Sequence, residues 1–261
     1  MTPVSALSNC SLVVVTLNEE DRLSRCLESA AGIDEVVVVD SFSTDRTVEI
    51  ARAHGARVYQ REFITAADQK NWAIGKASQD WILLLDADEA LSPELVSEIG
   101  KALEGPLVDG YRLRRRSEFF GTTIRHCGWG DEWIIRLFKR GKAHYPEREV
   151  HETIVLEGRA AKLAGCIEHR PYRDVADYID RMKSYSLRGA IELHKKGKPW
   201  FPGIVTHPAA RFLRMFLAQL GFLDGVSGFL LCALASSGVL LKYAALRELS
   251  RRGAGHGAGG T

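Results

Sequence analysis

The stretch WILLLDADEAL, Trp81 to Leu91, ends an apolar run on three carboxylates, Asp86, Asp88 and Glu89. Neighbouring negative charges repel one another and are costly to take out of water, so this spacing demands positive charge nearby. A calcium loop of the EF-hand type beginning at Asp86 needs glycine at its sixth position and glutamate at its twelfth, where the chain has Leu91 and Ser97. A DxDx[TV] phosphatase motif needs threonine or valine where Ala90 stands. Helix capping does not need the aspartates, because Ser92 before PEL supplies a cap. A divalent cation shared between carboxylates and a diphosphate fits best, since hard oxygen ligands suit Mg²⁺ or Mn²⁺.

The elements that position these carboxylates alternate. SLVVVTL (Ser11–Leu17) and EVVVVD (Glu35–Asp40) are β-branched runs too short for helices, and WILLLD has the same character. Between them lie helical patterns: EEDRLSRCLESA with Asn18 as its expected N-cap, STDRTVEIARAHG closed by Gly55, and ADQKNWAIGKAS. Strands alternating with helices predict a parallel, doubly wound α/β sheet, whose ligands sit beyond the carboxyl ends of the strands. Asn18, Asp40 and Asp86 all fall at such ends. The first turn, TLNEE, lacks GxGxxG, and no Walker A GK[ST] occurs, so nucleotide phosphates must be held another way.

After Gly110 the pattern changes to strand-like pieces (YRLRRR, WIIRLFK, ETIVL) and then to helix from about Val175. Charge divides at the same place: residues 1–110 carry a net −10 and residues 111–261 a net +12. An acidic half suits metal chemistry, and a basic half suits a phosphate-rich or membrane-bound partner. The apolar stretch Gly225–Leu241 falls short of the roughly 20 residues of a crossing helix, so an interfacial helix or hairpin is expected. Five cysteines without a CxxC pair, and an N-terminus without a basic patch leading into an apolar run, argue against a zinc site, a disulfide framework and a signal peptide. A reducing cytoplasm is the expected compartment.

Four motifs in order, TLNEE, VVVVDSFSTDRT, QKNWAI and ILLLDADE, resemble those of family 2 inverting glycosyltransferases with the nucleotide-sugar-binding GT-A fold. VHE (Val150–Glu152) and GFLDGVSGF further resemble the bacterial subgroup that adds glucose to the lipopolysaccharide inner core. The resemblance implies a GT-A type, Rossmann-like α/β domain with a mostly parallel central sheet over residues 1–172. The apolar runs set between basic clusters predict a helical, membrane-associating appendage over 173–250, and the composition of RRGAGHGAGGT predicts a disordered tail over 251–261.

The implied activity is transfer of a hexose, glucose from UDP-glucose, to a lipid-linked saccharide acceptor at the cytoplasmic face of the inner membrane, to which the protein would bind peripherally. Transfer to polyprenyl phosphate, or a non-catalytic nucleotide-sugar scaffold, are the alternatives. By resemblance, Thr16, Asn18 and Glu19 line the nucleotide pocket, Asp40 accepts from the uracil N–H, and Lys70 reaches the uracil or diphosphate. Asp86 contacts ribose or sugar, while Asp88, joined by His151, holds Mg²⁺ or Mn²⁺. Glu152 is the first choice of general base and Asp131 in GWGDEW the second. The expected partners are a UDP-sugar, the lipid-linked acceptor and an anionic membrane surface; nucleic acid is not among them.

Overall fold

The computed structural model describes residues 7–130, 132–146 and 153–256, and divides by packing into two units. The first comprises the described residues up to Arg116 together with those of 131–169. Its parallel block is formed by β1 (Leu7–Thr16), β2 (Ile33–Asp40), β3 (Arg57–Gln60) and β4 (Trp81–Asp86) in the order β3-β2-β1-β4. β1 pairs in parallel with both β2 and β4, and β2 with β3. Antiparallel strands extend the sheet. The short β5 (Glu89–Leu91), β6 (Gly110–Phe119), β8 (Glu132–Lys139) and β11 (Ala160–His169) continue it as β4-β8-β6-β11-β5. β7 (Thr122–Thr123) pairs with the far end of β6, and β9 (Ala143–His144) pairs with β10 (Val155–Leu156) as a separate two-stranded piece.

The unbroken apolar runs follow from burial on both faces of the sheet. Leu12, Val14, Leu83 and Leu85 pack into one face's core, and Val13, Val37, Ile82 and Leu84 into the other's. Each such side chain contributes about 1.5–3 kcal/mol by leaving water. The helices of this unit are α1 (Leu23–Ser29), α2 (Thr47–Ala53), α3 (Ala66–Ile74) and α4 (Pro93–Glu104). Ser92 caps α4, accepting from the Leu95 backbone N–H at 3.3 Å. α1 begins later than its sequence pattern, with Arg22 at its N-cap and no side-chain cap bond. Asn18 does not cap it. It takes a left-handed φ of 55° and turns back toward the loop after β2.

The second unit contains residues 117–130 and the described residues from Arg170 onward. It holds α5 (Val175–Lys195), α6 (Gly203–Leu213), which continues as a π-helical turn to Ala218, and α7 (Gly225–His256). Phe119, Ile124 and Cys127 pack with Tyr178, Met215 and Leu231 into one core. GFLDGVSGF has a structural role here: buried Asp224 accepts from the backbone N–H groups of Arg125 (3.2 Å) and His126 (2.8 Å). A Cβ at Gly228 would stand 2.1 Å from the Gly221 carbonyl oxygen.

Of the helix and the hairpin expected for Gly225–Leu241, the structure shows the helix. α7 is continuous through this stretch, and Gly228 and Gly238 serve close packing instead of chain reversal. By length and composition, Gly221–Arg252 is long and apolar enough to cross a membrane, and 22% of its most apolar window is buried. All five cysteines are buried and free, with Cys127 Sγ 3.7 Å from Cys232 Sγ.

Candidate active site

Register brings the expected residues to one level. Thr16 pairs with Asp40, and Val15 with Asp86, at the carboxyl ends of β1, β2 and β4. The loops after β1 and β2 are stitched together. The Asn18 side-chain oxygen accepts from the Thr44 N–H (2.8 Å), the Asn18 N–H donates to Ser43 Oγ (2.8 Å), and the Glu19 N–H donates to Thr47 Oγ1 (2.8 Å). Asp40 is fully buried and accepts from the Ser43 N–H (2.9 Å), Gln60 Nε2 (3.1 Å) and the Ser43 hydroxyl.

The carboxylates of DADE are answered chiefly by the protein's own cations. Asp86 binds Lys70 Nζ at 2.9 Å and Arg136 NH2 at 2.6 Å. Arg136 also holds Glu89 at 2.9 Å, and Arg115 reaches Glu89 at 3.3 Å. Glu89 has no exposed surface and closes the turn by accepting from the Asp86 N–H at 3.0 Å. The charge that the sequence demands for Asp86 and Glu89 is therefore arginine and lysine, and a metal is not needed to explain them. Burial alone would raise the Asp86 pKa, but Arg136 first and Lys70 next hold it well below the usual carboxylate range. Burial likewise opposes the charge on Lys70, and Asp86 outweighs it, so its pKa is raised.

Asp88 stands differently. Its Oδ2 lies 3.5 Å from His169 Nε2 and 3.9 Å from Arg22 NH1. Arg22 is itself gripped by Glu19 through bonds of 2.6 and 2.7 Å. β11 delivers His169, because its antiparallel register sets His169 opposite Glu89 on β5. That strand approaches α4 closely at Gly165, where a Cβ would sit 2.6 Å from the Leu95 backbone. Sequence reading misses His169: it lies far along the chain, and only the strand-ending CIEHR hints at it. His151, Glu152 and Asp131 lie outside the described residues.

A cavity of about 250 Å³ opens at these strand ends, lined by Thr16, Glu19, Ser41, Gln69, Asp86 and Asp88, with Leu17 and Phe63 as half-exposed apolar lips. Asp40, fully buried next to Ser41 in sequence, does not line it. Two buried polar atoms of its wall, Thr16 Oγ1 and Gln69 Oε1, have no hydrogen-bond partner among the described residues. Gln69 is held from its other end, donating to Ser41 Oγ at 3.1 Å. Buried polar atoms are rarely left unpaired, and these two are available to a bound molecule or to water. Sequence reading selected Thr16 but passed over Gln69. A second cavity, about 310 Å³, shares Asp86 and is lined by Lys70, Arg112, Arg115, Trp133 and Arg136.

Residues 11–154, which contain this whole arrangement except His169, match glycosyl transferase family 2. The chain belongs to glycosyl transferase family 2. A family 2 assignment agrees with an α/β domain carrying its site beyond parallel strands. The transferase is 30% identical to an uncharacterized glycosyltransferase of Rickettsia typhi, over 94% of this chain and 88% of that protein. It is 29% identical to the lipopolysaccharide core biosynthesis glycosyltransferase LpsC of Rhizobium meliloti, over 84% of this chain and 85% of LpsC. A solved structure of S. aureus TarS 1-349 in complex with UDP-GlcNAc aligns with 94% of this family 2 chain and 92% of that one, at 16% identity and a TM-score of 0.48.

Proposed function

We propose that the protein is an inverting, metal-dependent hexosyltransferase. In this reading it moves glucose from UDP-glucose to a lipid-linked saccharide acceptor of the lipopolysaccharide core type, at the cytoplasmic face of the membrane. The observation that carries the reading is the 250 Å³ cavity, where Asp86 and Asp88 meet the two unpartnered polar atoms of Thr16 and Gln69. The name of LpsC supports the acceptor class.

The planar base enters between Leu17 and Phe63, where Thr16 and Gln69 supply its hydrogen bonds. Asp40 braces the loop after β2 through Ser43 and Gln60, and in this reading accepts from the uracil N–H. Asp86, pinned by Lys70 and Arg136, presents its half-buried edge to ribose or sugar. Among the described residues no group of three or more histidine, cysteine, aspartate or glutamate side chains is placed to hold a metal. Asp88 and His169 would nevertheless hold a divalent ion as two ligands, the rest being supplied by the substrate. A Mg²⁺ or Mn²⁺ ion held there would supply charge neutralisation for the departing diphosphate. Arg22, fixed by Glu19, keeps Asp88 oriented toward the cavity.

For inversion, the acceptor oxygen attacks the anomeric carbon from the face opposite the departing UDP, forming one C–O bond as the other breaks. The acceptor proton goes to a carboxylate, for which Glu152 is the first choice and Asp131 the second. This reading gives the acceptor the second cavity, which shares Asp86 and is lined by Glu132 and Thr153.

The test is UDP release from a panel of UDP-sugars, with Mg²⁺ or Mn²⁺ and with a chelator. UDP-glucose should be turned over fastest, and only with metal. No release from any UDP-sugar would sink the reading. A second expectation concerns the base. Glu152→Gln should keep UDP affinity and lose turnover by about 10²- to 10⁴-fold. If Asp131→Asn shows that loss and Glu152→Gln does not, Asp131 is the base. Full turnover in both would favour a phosphate acceptor, which needs no base.

A further inference from the structure

The helical unit contains a third cavity, about 410 Å³, that plays no part in the chemistry above. Its walls carry the rings of Trp129, Tyr172, Tyr178 and Tyr185, together with the cations Arg211 and Lys242. Trp129 stacks on Tyr172 with centroids 6.2 Å apart, and Tyr178 meets Tyr172 edge-on at 4.7 Å. The α5–α7 wall is closely drawn. A Cβ on Gly238 would come 2.9 Å from Met182, and Ser186 Oγ donates to the Gly238 carbonyl at 2.8 Å. The stem of Lys242 runs over Gly189, where a Cβ would stand 3.0 Å from its Cδ. Among the described residues neither Arg211 nor Lys242 closes an ion pair, and Lys242 acts on Glu192 of α5 only at longer range.

Aromatic rings beside two cations that close no ion pair suit an anion joined to an apolar body. The same helices expose large apolar side chains in number. Leu213 and Leu217 on α6 and its extension, Phe222 and Leu223 on the turn that follows, and Val226 and Phe229 on α7 are all exposed. Apolar exposure on this scale marks a surface for a partner or a membrane. A free sugar phosphate would answer the cations but leave these helices in water. A lipid answers both.

We propose that this cavity binds the phosphate-bearing end of a membrane lipid, with Arg211 and Lys242 on the phosphate and Trp129, Tyr172 and Tyr178 against the adjoining carbon skeleton. This deepens the membrane reading above and rests on it. It differs from general attraction to an anionic surface in requiring one lipid molecule in one place.

The full chain is titrated with dihexanoyl phosphatidic acid below its micelle concentration, and tryptophan fluorescence is read. A saturable change is expected, lost in Trp129→Phe, and shifted to about 10- to 100-fold weaker binding in the double variant Arg211→Gln/Lys242→Gln. Arg251→Gln/Arg252→Gln, an equal charge change elsewhere on α7, should bind as the parent does. UDP binding and thermal melting establish that each variant is folded. Equal binding by the Arg211/Lys242 and Arg251/Arg252 variants overturns the proposal, as does inorganic phosphate or glucose 6-phosphate binding as tightly as the lipid. Sedimentation with phosphatidylcholine vesicles, with and without phosphatidic acid, separates the two levels. Vesicle binding without a response to the monomeric lipid overturns the cavity alone, and failure of both overturns the membrane reading as well.

Discussion

Replacing Arg136 by methionine should lower stability by about 3–5 kcal/mol, the cost of leaving buried carboxylates without their cation. Arg136 touches Asp86 at 2.6 Å and Glu89 at 2.9 Å, and Glu89 has no access to water. For a chain of this size the loss corresponds to a melting temperature lower by roughly 6–20 °C. Acid sensitivity should change with it. In the parent, Asp86 titrates well below its unfolded value, so its contribution is complete above a pH of about 4 and is lost only as pH falls further. Without Arg136, burial raises the Asp86 pKa and that contribution shrinks already at higher pH. Thermal melts of parent and variant across an acid series read both effects. An unchanged melting temperature at neutral pH would show that the arginine is not the cation on which this turn depends.

Asp88→Ala should abolish sugar transfer while leaving the fold intact, because Asp88 closes no turn and its contacts with His169 and Arg22 are long. On the proposed metal role the loss is several kcal/mol of transition-state stabilisation, about 10³- to 10⁵-fold in turnover. UDP affinity measured with and without Mn²⁺ gives the finer test. In the parent, metal should tighten binding, and in the variant it should make little difference. His169→Ala should share that phenotype in weaker form. Turnover within a few-fold of the parent in Asp88→Ala would refute the assignment of metal to this carboxylate.

The parallel block was legible because its strands are buried on both faces, so VVV and ILLL stand as unbroken apolar runs, and each ends on a polar residue where the sheet meets the cavity. Ser92 was legible as a cap because its role is local. What depends on distant chain was not. Glu89 reads only as a third carboxylate beside two aspartates, and it takes β8 and β6, arriving with Arg136 and Arg115, to show it neutralised inside the protein. His169 reaches Asp88 through a strand pairing that no motif encodes. Asn18 has the composition of an N-cap, yet its side chain is taken by the Thr44 N–H, and this competing bond moves the start of α1. The glycines of α7 look like breakers in one dimension and are packing notches in three.

The five buried thiols have a practical reach. Thiolate is the reactive form, and burial pushes the pKa of Cys10 and of Cys127 up to about 12. An electrophilic dye therefore meets an almost unreactive surface on the folded chain. A single cysteine introduced at an exposed helical position such as Val226, 76% exposed, can carry a label without first removing the native ones. The native thiols in turn act as clocks, since each is alkylated only as often as its surroundings open. Cys10 and Cys26 would time the sheet, and Cys127 and Cys232 the helices.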